Sequence, residues 1–208
     1  MVITKELLQK MLLSAASAMA KQEEYLCEID SKFGDGDHGL TIAKIAKLLQ
    51  EKVPQWKNES MAEFLGDIGM EIMEVRGGSA GPLYGTLIGG LGAQLTGEDE
   101  ELDGEGAKRM LAGALAEMQD ITTAKIGDKT MMDALIPGVK AAQESTGEAD
   151  AIWRAAAKAA QDGAKASEQF VAKFGRAKSY KEETIGTPDA GAVSTSLFIT
   201  GMAEGMTK

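Results

Sequence analysis

An all-α fold is predicted from three features of the 208-residue chain. Aromatic residues make up only 5% of it while Ala and Met are abundant, β-branched alternating runs are scarce, and apolar residues recur at three- and four-residue spacing along most of its length. The first two features favour helix over sheet, and the third is the amphipathic period of a helix packed on one face.

Eight helices follow in order. The first covers about residues 4–27, with Leu7, Leu8, Met11, Leu12, Ala15 and Met19 at helical spacing, and the loop 31–37 stops it. A second spans 38–53, carrying Ile42, Ile45, Ala46 and Leu49 on one face, and Pro54 closes it. Ser60 and Glu63 read as a capping box that starts a third helix reaching about Val75. The fourth follows the glycine-rich stretch 77–81, with Pro82 in the first turn where a missing N–H costs nothing, and ends near Gly97. Asp103, Thr130 and Asp150 are the expected N-caps of three more, with apolar faces that include Met110 and Leu111, Leu135 and Val139, and Ile152 and Phe170. The eighth runs from about Ala192 to Met206. The polar stretches 96–106 and 144–150 are short and each leads at once into another amphipathic pattern, so residues 1–208 are expected to form a single domain.

Bulk properties exclude several functions. The single cysteine, Cys27, has no intramolecular partner, and no Cys/His cluster has zinc-site spacing, which points to a reducing, cytoplasmic setting. The N-terminus lacks a basic flank before an apolar run, and no stretch of about 18 apolar residues occurs, so neither secretion nor membrane insertion is expected. A net charge of -10 repels polyanions, so direct nucleic-acid binding is not expected.

The chemistry concentrates in the segment from Asp30 to Thr41, which holds three carboxylates, the only histidine and three glycines. Asp35 and Asp37 can turn toward one point on a backbone made pliable by Gly34, Gly36 and Gly39, and Asp30 can reach that point from the preceding helix end. Such crowding of like charge is costly without a cation, and oxygen-only ligands favour magnesium or calcium. Capping the next helix requires one carboxylate, not three. An EF-hand starting at Asp35 fails, because Leu40 and Ala46 occupy the positions of the turn glycine and the bidentate glutamate. Gly34, Gly36 and Gly39 also spell G-x-G-x-x-G, but no strand precedes them and the intervening aspartates would face a pyrophosphate directly.

Three further segments are weaker. The stretch 77–85, GGSAGPLYG, can form an anion cradle at a helix N-terminus, and it equally suits close helix packing through small residues. The stretch 127–131, GDKTM, reads as a helix start. The stretches 175–180, GRAKSY, and 186–191, GTPDAG, combine one guanidinium suited to phosphate with turn residues before the last helix. No P-loop motif occurs, so any nucleotide must be held another way.

Taken together, GDGDHG at 34–39, GGSAGPLYGT at 77–86, GDKTMMDAL at 127–135, GRAKSY at 175–180 and IGTPDAGA at 185–192 resemble the L subunit of dihydroxyacetone kinases, over nearly the whole chain. The resemblance implies a barrel of eight antiparallel helices whose one open end holds ADP or ATP. It implies two Mg2+ ions on Asp30, Asp35 and Asp37, and nucleotide contacts from His38, Gly39, Leu40, Thr41, Ser79, Ala80, Thr122, Met131, Arg176, Asp189, Ala190 and Gly191. Relatives often carry Gly where Thr122 stands. His38 is expected to contact the nucleotide or to bond at the helix start rather than act as general base, because phosphoryl transfer chiefly needs positioning and charge neutralisation.

The sugar, in such kinases, is held on a separate K subunit, and ADP stays bound to L and is rephosphorylated by a phosphohistidine M subunit of the phosphotransferase system. A transcriptional regulator and a second copy of the chain are further partners the resemblance admits. Alternative readings are an ATP-dependent kinase subunit for another ketose and a nucleotide-sensing regulatory module. Glu183, Thr187 and Ala190 depart from the Arg, His and Pro usual in the family.

Overall fold

The computed structural model describes residues 1–207. Among them are nine α-helices, and the only strands, β1 (Ile3–Thr4) and β2 (Glu101–Leu102), form a two-residue antiparallel ladder that pairs Ile3 with Leu102. The all-α class holds. The ninth helix arises because the expected first helix is two: α1 (Lys5–Ala20) and α2 (Glu23–Ser31), separated where Gln22 leaves helical backbone at φ -109°, ψ 16°. Asp30 therefore sits in the last turn of α2, and the loop that follows folds back over it.

The remaining helices are α3 (His38–Lys52), α4 (Met61–Met73), α5 (Ala80–Gly90), α6 (Gly104–Ile121), α7 (Met132–Glu144), α8 (Ala149–Ala166) and α9 (Ala190–Gly205). Ser60 and Glu63 make the expected capping box, each side chain bonding the other's backbone N–H, and Asp103 caps α6 through Gly106 N at 2.9 Å. Two other expected caps fall elsewhere. Helix α7 starts one residue later than expected, with Met131 at the cap position and no side-chain cap from it, while Thr130 just ahead gives its N–H to the Asp133 carboxylate at 2.7 Å and accepts Met132 N on its hydroxyl at 3.2 Å. Asp150 lies inside the first turn of α8 and pairs with Arg154 one turn on, leaving Glu148 at the cap position. The helix after the glycine-rich stretch stops at Gly90 rather than near Gly97, and turns carry the chain to β2.

The helices close into a ring. α1 packs on α9 and α3, α9 on α8, α8 on α6 and α7, α6 on α5, and α5 on α3 and α4, while α2 lies against α3 and α9. One contiguous apolar core, including Leu8, Leu12, Ile45, Leu111, Trp153 and Phe198, fills the ring. Small residues allow the closest crossings: a Cβ on Gly69 of α4 would fall 2.7 Å from the Gly89 Cα of α5. No helix among the described residues is long and apolar enough to cross a membrane.

Candidate functional site

At one end of the ring lies an open cavity of about 350 Å³. Four helices begin at its wall: His38 opens α3, Ser79 and Ala80 open α5, Met131 precedes α7, and Asp189 and Ala190 open α9. Each contributes the partial positive charge of a helix N-terminus, so the cavity suits an anion. The C-terminal turn of α2 meets the same wall with the opposite sign and carries Asp30, and the loop after it carries Asp35 and Asp37.

Asp30 organises that acidic corner. Its backbone carbonyl accepts from Phe33 N and Gly34 N at 3.1 and 2.7 Å, and its Oδ2 accepts from Gly36 N at 2.9 Å and His38 N at 3.4 Å. The wrap depends on glycine, since a Cβ on Gly34 would collide with the Asp30 carboxylate and Gly36 adopts φ +74°. The result places one carboxylate oxygen from each of Asp30, Asp35 and Asp37 within 4.8 Å of one another. Three converging oxygens with no neutral ligand between them fit a hard divalent cation. Asp35 also meets Arg176, Oδ2 to Nη1 at 2.6 Å, and Phe33 meets Tyr180 edge to face at 5.3 Å, so the segment after α8 straps over the acidic loop.

His38 Nε2 lies 2.9 Å from Ser194 Oγ. Burial pushes its pKa below the usual histidine value, against the opposing pull of Asp30 and Asp37, so the ring is neutral at pH 7 and serves as a hydrogen-bonding group. Asp189 caps α9 through Ala192 N at 2.7 Å, and desolvation pushes its carboxyl up to about 7 despite that bond. Asp133 is buried and raised for the same reason while accepting from Gly127 N and Thr130 N at 2.6 and 2.7 Å. Desolvation lowers the Lys129 ammonium.

The cavity brings together Asp30, Asp35, Asp37, His38, Ser79, Ala80, Met131, Arg176, Asp189, Ala190 and Gly191 from five separate stretches of sequence. It does not bring in Gly39, Leu40, Thr41 or Thr122. Gly39 packs against the Glu23 carbonyl of α2, Leu40 points outward at 50% exposure, and Thr41 lies behind the wall with its Oγ1 against Gly77. Thr122 is the C-cap residue of α6, outside the lining. The stretch 77–85 divides between the cavity and the helix packing: Gly77, Gly78 and Ser79 line the cavity, and Gly85 packs against α4. Phe33, Tyr84, Lys129 and Phe174 also line it, and these were missed. Lys129 lay in a flagged segment, but a lysine before a helix reads as solvated.

A helical ring with an acidic corner and four helix N-termini at one mouth defines a class, and the chain belongs to the DAK2 domain family, whose model matches residues 32–204. It is 34% identical to the ADP-binding subunit DhaL of PEP-dependent dihydroxyacetone kinase 2 from Listeria innocua, over 90% of this chain and 88% of that subunit. It is 33% identical to D-erythrulose kinase from Mycolicibacterium smegmatis, over 92% of this chain but 34% of that protein. The crystal structure of the dihydroxyacetone kinase from C. freundii in complex with AMP-PNP and Mg2+ superposes with a TM-score of 0.72 at 25% identity, covering 98% of this chain and 34% of that one. The chain thus matches 88% of that ADP-binding subunit and about a third of the longer kinases.

Proposed function

We propose that the chain is the nucleotide-binding subunit of a dihydroxyacetone-type kinase, with residues 1–208 acting as one DhaL-type domain. ADP or ATP occupies the cavity, and two Mg2+ ions sit on Asp30, Asp35 and Asp37. The observation that carries this reading is the convergence of three carboxylate oxygens within 4.8 Å at a cavity edged by helix N-termini. Acidic side chains and phosphates repel unless cations lie between them, and the site has the donors for both.

Magnesium, when bound, neutralises phosphate charge as the phosphoryl group moves. The chain's own residues orient the nucleotide. The N–H groups at the starts of α5 and α9 and the Arg176 guanidinium face the phosphates, while neutral His38, held by Ser194, contributes a hydrogen bond. The acceptor in this reading is a ketose held on a separate K subunit. A phosphohistidine M subunit then rephosphorylates the bound ADP. The 34% identity to an ADP-binding subunit, over 88% of that subunit, supports the ADP-binding role.

A second reading is an ATP-dependent subunit for a four-carbon ketose, favoured by the 33% identity to a D-erythrulose kinase. Both are tested by purifying the protein without added nucleotide, denaturing it, and identifying what is released. About one ADP per chain with magnesium supports the bound-cofactor form. Empty protein that binds MgATP on titration supports the exchanging form, and no binding of either nucleotide overturns both.

A further inference from the structure

Lys129 is the only lysine or arginine buried among the described residues, at 5% exposure. It also holds φ at +60°, a left-handed backbone that a residue with a side chain adopts at a cost. A lone buried ammonium is a poor stabiliser, because desolvation offsets much of what its contacts return. Its contacts are nevertheless specific. Nζ donates to Ser167 O at the end of α8 and to Thr187 O before α9, both at 2.5 Å. The Ser167 hydroxyl accepts from Asp189 N at 2.9 Å and donates to Ala164 O at 2.6 Å, so the same node fixes the start of α9. Next to Lys129, Asp128 takes Lys173 N through its carbonyl at 3.1 Å and Lys173 Nζ through its carboxylate at 2.7 Å. Three segments, 125–131, 167–173 and 184–191, are thereby tied through residues 128 and 129, and two of them present Met131 and Asp189 to the cavity. Desolvation opposes the ammonium's charge, and the more distant carboxylates of Asp189, Asp133 and Glu168 favour it.

We propose that Lys129 is a positioning residue of the nucleotide site: its buried ammonium sets the spacing between the start of α7 and the start of α9, and so the shape of the wall opposite the carboxylates. This rests on the nucleotide-binding reading. Loss of the ammonium loosens that wall without touching the metal ligands, which lie in the last turn of α2 and the loop after it and have no bond to Lys129.

The test compares Lys129→Met, which keeps the stem and removes the donors, with Lys129→Arg, which keeps charge and donors. MgADP affinity is measured by calorimetry and backbone opening by hydrogen–deuterium exchange, at a temperature where circular dichroism shows each variant folded. Lys129→Met is expected to weaken MgADP binding about tenfold or more, to speed exchange in 125–131 and 184–191, and to leave 30–37 unchanged, with Lys129→Arg restoring most of the affinity. MgADP affinity within about twofold of the parent, uniform loss of protection, or an Arg variant as weak as the Met variant would overturn the proposal. If Lys129→Met does not fold, Lys129→Gln, which keeps two donors without the charge, takes its place under the same criteria. Failure of the parent itself to bind MgADP overturns the nucleotide reading instead, and the exchange comparison still decides whether Lys129 ties the wall.

Discussion

Arg176 and Asp35 meet across the mouth of the cavity, guanidinium to carboxylate at 2.6 Å, so a side chain from the segment after α8 occupies one of the three converging carboxylates. Both ends are well exposed, 70% and 41%, so the pair contributes little to stability. Its consequence lies in ligand binding, where the same guanidinium competes with a cation for Asp35 and offers itself to phosphate. Arg176→Ala is expected to leave the melting temperature unchanged within about 1 °C. It should tighten binding of Mn2+ alone, read by electron paramagnetic resonance, and weaken MgADP about tenfold. Looser binding of both ligands would contradict the competition.

The three aspartates should separate by what each does for the backbone. Asp35 and Asp37 accept no backbone bond from the loop, whereas Asp30 Oδ2 accepts from Gly36 N and His38 N. Asp35→Ala and Asp37→Ala are expected to abolish nucleotide retention while leaving helicity and melting temperature near the parent's. Asp30→Ala should do the same to retention and also cost about 1–3 kcal/mol in urea unfolding. Full retention of nucleotide after either of the first two changes would rule out the metal-bridged site.

Acid stability should report on a pair outside the cavity. Arg109 grips Asp99 through Nη2–Oδ1 at 2.6 Å and Nη1–Oδ2 at 3.2 Å, and Thr96 N adds a bond at 2.7 Å. The guanidinium first, then the backbone N–H, hold the Asp99 pKa down to about 2 from an ordinary 3.8. A carboxyl depressed on folding stabilises above its unfolded pKa, so the contribution is complete above about pH 4 and is lost as pH falls toward 2. Arg109 is 42% exposed, and screening reduces the contribution to about 1 kcal/mol. Asp99→Asn should therefore lower unfolding free energy by about that amount at pH 7 and by much less at pH 2, with MgADP affinity unchanged at neutral pH.

Two glycines of α4 should respond in opposite directions. Nothing lies within 4 Å of a Cβ on Gly66, so Gly66→Ala is expected to stabilise by about 0.5–1 kcal/mol through helix propensity. A Cβ on Gly69 would meet the Gly89 backbone at 2.7 Å, so Gly69→Ala should destabilise by about 1–3 kcal/mol. Chemical denaturation of the two variants side by side checks whether α4 and α5 are as close as described.

What was legible beforehand follows from the range of the forces involved. The Ser60–Glu63 box and the Asp103 cap are local, made between residues three apart, and both formed where expected. Thr130 falls one residue before the cap position, although its hydroxyl still accepts from Met132 N at 3.2 Å, and Asp150 lies inside the first turn, where its carboxylate pairs with Arg154. Gly39, Leu40 and Thr41 were expected as nucleotide contacts from the family resemblance alone. A helix turns successive side chains about 100° apart, which sends Leu40 outward and Thr41 behind the wall.

By itself the sequence determined the all-α class, from helical periodicity and a shortage of strand formers, and the acidic corner, because Asp30, Asp35 and Asp37 are separated by a loop short enough to bring them together whatever the rest of the chain does. The tertiary structure alone decided the opposite wall. Residues near 79, 131, 176 and 189 meet only because the ring of helices closes, setting four N-termini around one mouth, and only that closure turns Lys129 inward to bond Ser167 and Thr187. Local spacing encodes contacts between neighbours along the chain, whereas this wall depends on packing between helices far apart in it.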